Sequence, residues 1–279
     1  MSEQIRINNV DRFSGFGDLY DQSRPQAPVD LINILTMYLG RSPELVADVG
    51  CGTGLSSFIW LDHAKRIVGI EPNEDMRAVA MSRWQKQGRP AHLQFAPGMS
   101  YALPLEPSSV DLITCSQSFH WMDPQPTLQE FARVLRPGGL FAAYDCDWPP
   151  VLSPALDQAY EQLIQLADKR ASELSEDGKE AYKWPKDQHL QQIQKSGLFQ
   201  YSREIVFHHW EESDANRYAN LALSQGGLQT ALKLGANDIA DAAEQFRELV
   251  KQEFAGEIRP ILFGYRMRLG VTAKKRARP

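Results

Sequence analysis

The sequence predicts an α/β fold, a doubly wound and mostly parallel sheet with helices on both faces. Two observations lead there, the alternation of elements and the apolar character of the strands. Between about residues 44 and 144, short and almost wholly apolar runs alternate with stretches of helical periodicity. Strands apolar on both faces belong to parallel sheets covered from either side. Right-handed crossovers then wind the helices onto both faces, a reading that depends on no motif.

The elements follow in order. "PVDLINILTMYLG" (28–40) reads as a helix with proline in its first turn and Gly40 as its stop. "ELVADV" (44–49) is the first strand, and "LSSFIWL" (55–61) opens the next helix. "RIVGI" (66–70) is the second strand, and "NEDMRAVAMSRWQ" (73–85) repeats Met76, Val79, Ala80 and Trp84 at helical spacing. "AHLQF" (91–95) and "VDLIT" (110–114) are the third and fourth strands. "PTLQEFARVL" (126–135) is an amphipathic helix halted by "RPGG" (136–139), and "LFAAY" (140–144) is the fifth strand.

Beyond residue 150 the pattern changes. Ser153 caps "SPALDQAYEQLIQLA", which sets Leu156, Tyr160, Leu163 and Ala167 on one face. The polar "ASELSEDGKE" (171–180) reads as a mobile link. A short helix near 187–195 precedes the strand candidate "YSREIVFHHW" (201–210), and residues 213–255 read as helical, with Ile239, Ala243, Phe246 and Val250 as an apolar stripe. In "ILFGYRMRLGV" (261–271), Phe263, Tyr265, Met267, Leu269 and Val271 alternate with smaller or charged residues, as in an antiparallel strand with one face fully buried.

Composition narrows the function. A chain of 279 residues, 43% hydrophobic, has ample material for one large domain. A net charge of -5 argues against broad nucleic-acid binding, which needs a basic face. The one basic run, "KKRARP" (274–279), reads as a solvated tail. No apolar stretch is long enough to span a bilayer, and "MSEQIRINNV" lacks the apolar core of a signal peptide. The three cysteines form neither a disulfide framework nor a C-x-x-C pair, and the six histidines show no metal-ligand spacing. A cytoplasmic, metal-free protein is expected.

The glycine turn points to a ligand. In a doubly wound sheet, ligands sit beyond the carboxyl ends of the strands. Gly50, Gly52 and Gly54 let the chain turn sharply and bring backbone N–H groups close to a bound molecule. One strand on, "GIEP" puts Glu71 at the second carboxyl end, where a carboxylate can accept both hydroxyl hydrogens of a ribose. The spacing G-x-G-x-G differs from the G-x-G-x-x-G of dinucleotide sites.

"VADVGCGTG" (46–54), "IEPNEDM" (70–76), "ALPLEPSSVDLITC" (102–115) and "RVLRPGG" (133–139), in that order, resemble the class I S-adenosylmethionine-dependent methyltransferases over about residues 12 to 145. The resemblance implies a Rossmann-like sheet of seven strands, with an antiparallel last strand inserted beside the fifth. It also implies a single domain over 1–279, a cofactor-binding core at 28–150, and a helical lid from 151–185 and 213–255. "FSGFGDLYDQSRP" (13–25) and "SQSFHWMD" (116–123) are further similar to the small-molecule branch that includes trans-aconitate methyltransferases.

Site roles follow from the resemblance. Backbone at Gly50, Cys51 and Gly52 would border the methionine part of S-adenosyl-L-methionine, with Thr53 and Gly54 completing the turn. Asp48 would sit behind it and reach the amino group directly or through water. Cys51 is a small filler there and not a nucleophile. Glu71 would hold the ribose, with Pro72 and Met76 lining the adenine pocket. Met99 and Ser100 stand beside the adenine where the family often has Asp and Ala. Ser116 and Gln117 would lie nearest the departing methyl. Tyr20 and Arg24 would fold over the cofactor, Arg24 pairing with its carboxylate. Tyr20, Phe119 and Trp121 are candidates to face the sulfonium. His120 and Trp121 either line the substrate pocket, with His120 as a candidate general base, or pack as an aromatic wedge.

The resulting expectation is methyl transfer to a small-molecule acceptor, at a carboxylate or hydroxyl oxygen, with S-adenosyl-L-homocysteine as product. The alternatives are a non-catalytic module that binds the cofactor or a partner, and a nicotinamide-dependent dehydrogenase. No nucleic-acid or membrane partner is expected, and the protein would be a monomer or homodimer.

Overall fold

The computed structural model describes residues 2–11, 24–25, 27–175 and 181–274. The chain opens with α1 (Glu3–Asp11) and α2 (Val29–Leu39). The alternating part then runs β1 (Leu45–Val49), α3 (Leu55–Phe58), β2 (Arg66–Ile70), α4 (Glu74–Lys86), β3 (Leu93–Ala96), β4 (Val110–Ser116), α5 (Pro124–Val134) and β5 (Leu135–Cys146). The remainder holds α6 (Pro154–Leu174), α7 (His189–Lys195), β6 (Tyr201–Ser213), α8 (Ala215–Leu223), α9 (Gly226–Lys233), α10 (Asn237–Phe254) and β7 (Arg259–Val271).

Seven strands form one sheet in the order β3-β2-β1-β4-β5-β7-β6. The first five are parallel. β7 is antiparallel to both β5 and β6, and it lies between them as expected. β1 is buried throughout because both of its faces are covered. One apolar cluster, with Ala47, Ile113, Phe131 and Phe141, fills one face of the sheet. A second, with Leu31, Trp60, Leu112 and Met267, fills the other.

A third cluster stands apart beneath α6, α8 and α10. It joins Leu156, Tyr160, Tyr218, Phe246 and Phe254 to Ile261, Phe263 and Tyr265 of β7. The stripes of "SPALDQAYEQLIQLA" and of residues 239–250 both point into it. Local signals hold where they are strong: Ser153 accepts from the Leu156 N–H, and Gly40 ends α2 at φ 76.

The elements differ from expectation where local chemistry yields to pairing. β5 begins at Leu135 and runs through the "RPGG" stop, because Leu135 pairs with Val110 of β4 and Thr272 N–H and hydroxyl both bond Gly139 O. α3 is a single turn. The helical stretch 213–255 is three helices, and β6 runs on to Ser213. α6 continues to Leu174 through the polar segment taken for a link, where Arg170 pairs with Glu173 and Asp238. On β7, Arg268 and Gly270 are buried as well as the expected face. α1 was not foreseen from its polar sequence. Residues 176–180 and 275–279 lie outside the described residues.

Candidate active site

The strand order reverses direction between β1 and β4, which opens a crevice beyond their carboxyl ends. The turn after β1 enters it. Gly50 and Cys51 N–H groups donate to Ile70 O at 2.8 and 3.3 Å, tying the turn to the end of β2. Gly50 has φ 69, and a Cβ there would lie 2.7 Å from Ser118 Cβ, so both conformation and space require glycine.

Glu71, 8% exposed, is fixed by backbone alone: Oε2 accepts from Gly52 N–H at 3.0 Å and Oε1 from Asn73 N–H at 2.8 Å. Burial raises its pKa, and those two donors counter the rise. Each oxygen keeps a lone pair for a further donor. Asp48 lies behind the turn and does not line the cavity. Its carboxylate accepts from Ser56, Ser57 and Thr114 hydroxyls at 2.6, 2.6 and 3.0 Å, and burial raises its pKa.

A cavity of ≈ 1250 Å³, counting its open mouth, lies against this turn. Gly50, Cys51, Gly52, Thr53, Glu71, Pro72 and Met76 line it together with Met99, Ser100, Ser116, Gln117, Trp121 and Arg24. Gly54 is set back, with its Cα against the Phe95 and Phe58 rings. Phe119 is turned into the core, packing on Phe141 and His189 at ring distances of 5.1 and 4.9 Å. Tyr20 lies outside the described residues.

The side chains on this wall have specific partners. Ser100 Oγ and Thr127 Oγ1 are 2.8 Å apart. Arg24 donates to Ser224 O at 3.0 Å and to Gln225 Oε1 at 3.3 Å, and it stacks 4.8 Å over Trp148. Gln117 adopts φ 52, and its Oε1 accepts from Lys186 Nζ at 3.0 Å. Burial raises the Cys51 thiol well above its ordinary range, which disfavours a thiolate nucleophile. Thr53 Oγ1, in contrast, is buried with no hydrogen-bond partner. A glycine cradle, an anchored carboxylate and an orphaned hydroxyl in an apolar-lined cavity fit a nucleoside-linked amino acid such as S-adenosylmethionine.

His120 is not on this wall. It lines a second and larger cavity, ≈ 2940 Å³ with its mouth, beneath α6 and α9. Arg24, Gln117, Trp121 and Trp148 line both cavities and form the seam between them. His120 is 4% exposed, and burial pushes its pKa down to about 3. Its Nδ1 faces Asp145 Oδ1 at 3.5 Å, and Lys186 Nζ reaches the same oxygen at 2.8 Å. Asp145 Oδ2 faces His189 Nδ1 at 3.8 Å and an Arg268 nitrogen at 3.4 Å. Burial alone would raise the Asp145 carboxyl; Lys186 and His120 outweigh it and hold the carboxyl well below its usual range.

Sequence reading missed Asp145, Lys186 and His189. Asp145 could have been found from its place in "YDCD" at the carboxyl end of β5; Lys186 and His189 come from a distant segment with no local signal. It also missed Asn9 of α1, whose amide nitrogen donates to Trp121 O at 2.8 Å and Tyr182 O at 2.9 Å, latching α1 across both cavities. Among the described residues, no group of three or more His, Cys, Asp or Glu could hold a metal ion, and no helix is long and apolar enough to cross a membrane.

Residues 47–143 match the methyltransferase domain family. The chain is 31% identical over 126 residues to the probable S-adenosylmethionine-dependent methyltransferase CRG1 of Saccharomyces cerevisiae, covering 44% of this chain and 43% of that protein. It is 31% identical over 140 residues to the uncharacterized methyltransferase YcgJ of Bacillus subtilis, covering 49% of this chain and 54% of the other. The chain thus spans about half the length of the curated relatives it matches. In structure, a provisionally assigned type II methyltransferase from Anaeromyxobacter dehalogenans superposes with a TM-score of 0.65, covering 90% of this chain and 99% of the other at 20% identity. The solved YcgJ superposes at 0.52, covering 85% and 99% at 18% identity. The seven-stranded order, the glycine turn and Glu71 thus accompany a match to the methyltransferase domain family over residues 47–143, and the fold is that of the solved methyltransferases.

Proposed function

We propose that the protein transfers a methyl group from S-adenosylmethionine to an oxygen of a small-molecule acceptor. The observation that carries this reading is the Glu71 carboxylate, held by Gly52 and Asn73 N–H groups across the glycine turn. When bound, the cofactor supplies a methyl group already activated on a sulfonium. Glu71 would accept the ribose hydroxyls, and Pro72, Met76 and Met99 would pack on the base. Backbone at Gly50 and Gly52 and the Thr53 hydroxyl would meet the amino-acid end.

Trp121, at the seam, presents an aromatic ring where positive charge would sit. The remaining work is orientation and exclusion of water, and well-oriented approach contributes on the order of 7–11 kcal/mol. The region 151–185 and the three helices between 215 and 254 would act as a lid on the acceptor side of one domain, with 28–150 as its cofactor core. A small polar acceptor fits the charged and amide lining of the second cavity.

Calorimetry with S-adenosylhomocysteine, followed by methyl transfer across a panel of small acceptors, tests the proposal. Saturable 1:1 binding that weakens markedly in Glu71→Ala is expected. Absence of binding, or binding unaffected by that change, overturns it.

A further inference from the structure

The second cavity meets the first at Gln117, Trp121 and Trp148, so a molecule held there faces whatever lies in the glycine-lined crevice. Its wall carries His120, whose ring lies 4.8 Å from that of Trp121 at the seam. Four groups face His120: Asp145 on β5, Lys186 in the turn Lys186–Gln188, Lys183 just before it, and His189 on α7, whose ring stacks on that of His120 at 6.3 Å. Asp145 is itself pinned from behind by Arg268, which also bonds Glu204 at 2.7 Å.

Resting on the methyltransferase reading above, we infer that the second cavity is the acceptor site, that it takes a hydroxyl group, and that His120, aligned by Asp145, receives the hydroxyl proton as the oxygen is methylated. Asp145 is the positioning residue. A carboxylate so placed holds the imidazole with its proton on Nδ1 and leaves Nε2 as the acceptor on the ring edge away from β5. The Nδ1–Oδ1 separation of 3.5 Å is longer than a formed hydrogen bond, as is common before a substrate closes the site. The step balances. The oxygen–carbon bond forms as the carbon–sulfur bond breaks, its electron pair returns to sulfur, the O–H pair stays on oxygen, and the proton moves to Nε2.

The chemistry selects the hydroxyl. A carboxylate acceptor is ionised near neutral pH and needs no base. A methylated amine keeps its proton more tightly than a buried imidazole whose pKa is about 3. A hydroxyl oxygen that has gained a methyl group is far more acidic than any imidazolium, so even a weakened base removes its proton. Burial keeps His120 neutral, and Asp145 offsets the charge it gains.

The test has two arms. Nitrogen-15 NMR of labelled imidazoles should show His120 as the Nδ1–H tautomer in the unmodified protein and lose that preference in Asp145→Asn; an Nε2–H tautomer in the unmodified protein overturns the proposal, whether or not any variant folds. With S-adenosylmethionine and a panel of phenols, alcohols and carboxylic acids, methyl should go to hydroxyl oxygen. His120→Gln should cut kcat about 10²–10⁴-fold. Asp145→Asn should cut it less, Asp145→Glu should restore part of the loss, and S-adenosylhomocysteine affinity should stay within about twofold in all three. Transfer to carboxylates alone, no hydroxyl transfer at all, or hydroxyl transfer untouched by His120→Gln overturns it. If the unmodified protein does not bind S-adenosylhomocysteine, the methyltransferase reading is what fails.

Discussion

Glu71 carries three duties with one carboxylate, since it closes the glycine turn through Gly52, caps Asn73 N–H, and faces the crevice. Removing it leaves two buried donors without partners, each costing about 1–3 kcal/mol. Glu71→Ala is therefore expected to weaken S-adenosylhomocysteine binding by about 10–100-fold, with Glu71→Gln intermediate because one amide oxygen remains; calorimetry on both variants measures it. Gly50→Ala attacks the same site through the backbone. Its φ of 69 and the 2.7 Å approach to Ser118 Cβ predict a loss of about 1–3 kcal/mol in denaturant unfolding, together with loss of binding. At this scale the sequence was most readable where backbone geometry limits the choice of residue. Gly50, Gly52 and Glu71 were legible because the turn after β1 admits few alternatives. Asp145 and Lys186 were not, because they meet only through the fold, 41 positions apart in the chain. Phe119 in "FHW" was expected to face the sulfonium, yet it enters the core; His120, expected to line a substrate pocket or to pack as a wedge, opens on the second cavity.

Among elements, the five parallel strands were legible because each is a short apolar run between helical stretches. The ends were less so. β5 starts early because Leu135 pairs with Val110 of β4 while Gly138 and Gly139 bond the residues just after β7, and α6 runs past Ala167 because Ala171 is also buried and Arg170 pairs with Asp238. α1 escaped notice because it lacks an apolar stripe, and its seating depends on Asn9. The helices α6, α8, α9 and α10 cap the β7 end of the sheet through a cluster distinct from the other two, in which Phe246, 4% exposed, packs against Tyr160 and Tyr218. Phe246→Ala should cost about 3–5 kcal/mol. Because the loss falls on the cap and not the sheet, hydrogen exchange should accelerate first in α6, α8 and α10, with β1, β2 and β4 still protected; uniform acceleration would show that cap and sheet unfold as one unit.

For the molecule as a whole, buried histidines set the acid limit of stability. Unfolded histidine takes its proton near pH 6.5, whereas burial lowers His120 to about 3 and His189 to about 4 in the fold. Between those values the unfolded chain binds more protons, so stability falls as pH falls from 6.5 toward 4. From pH 7 to pH 5 the loss is at most about 2 kcal/mol per histidine. Denaturant unfolding should show it, and His189→Leu should flatten the slope. Asp111 acts in a lower window. Burial would raise its carboxyl, but Arg41, the Leu45 and Glu44 N–H groups and Arg136 hold it below 3.8; its stabilisation is present above pH 4 and fades as pH drops through the depressed value.

The most direct test is a crystal structure of the protein soaked with S-adenosylhomocysteine. The ribose hydroxyls are predicted on Glu71, the amino-acid end against Gly50, Gly52 and Thr53, and the sulfur turned toward the seam of Gln117 and Trp121. A ligand lodged elsewhere, or a ribose that makes no contact with Glu71, would contradict the account.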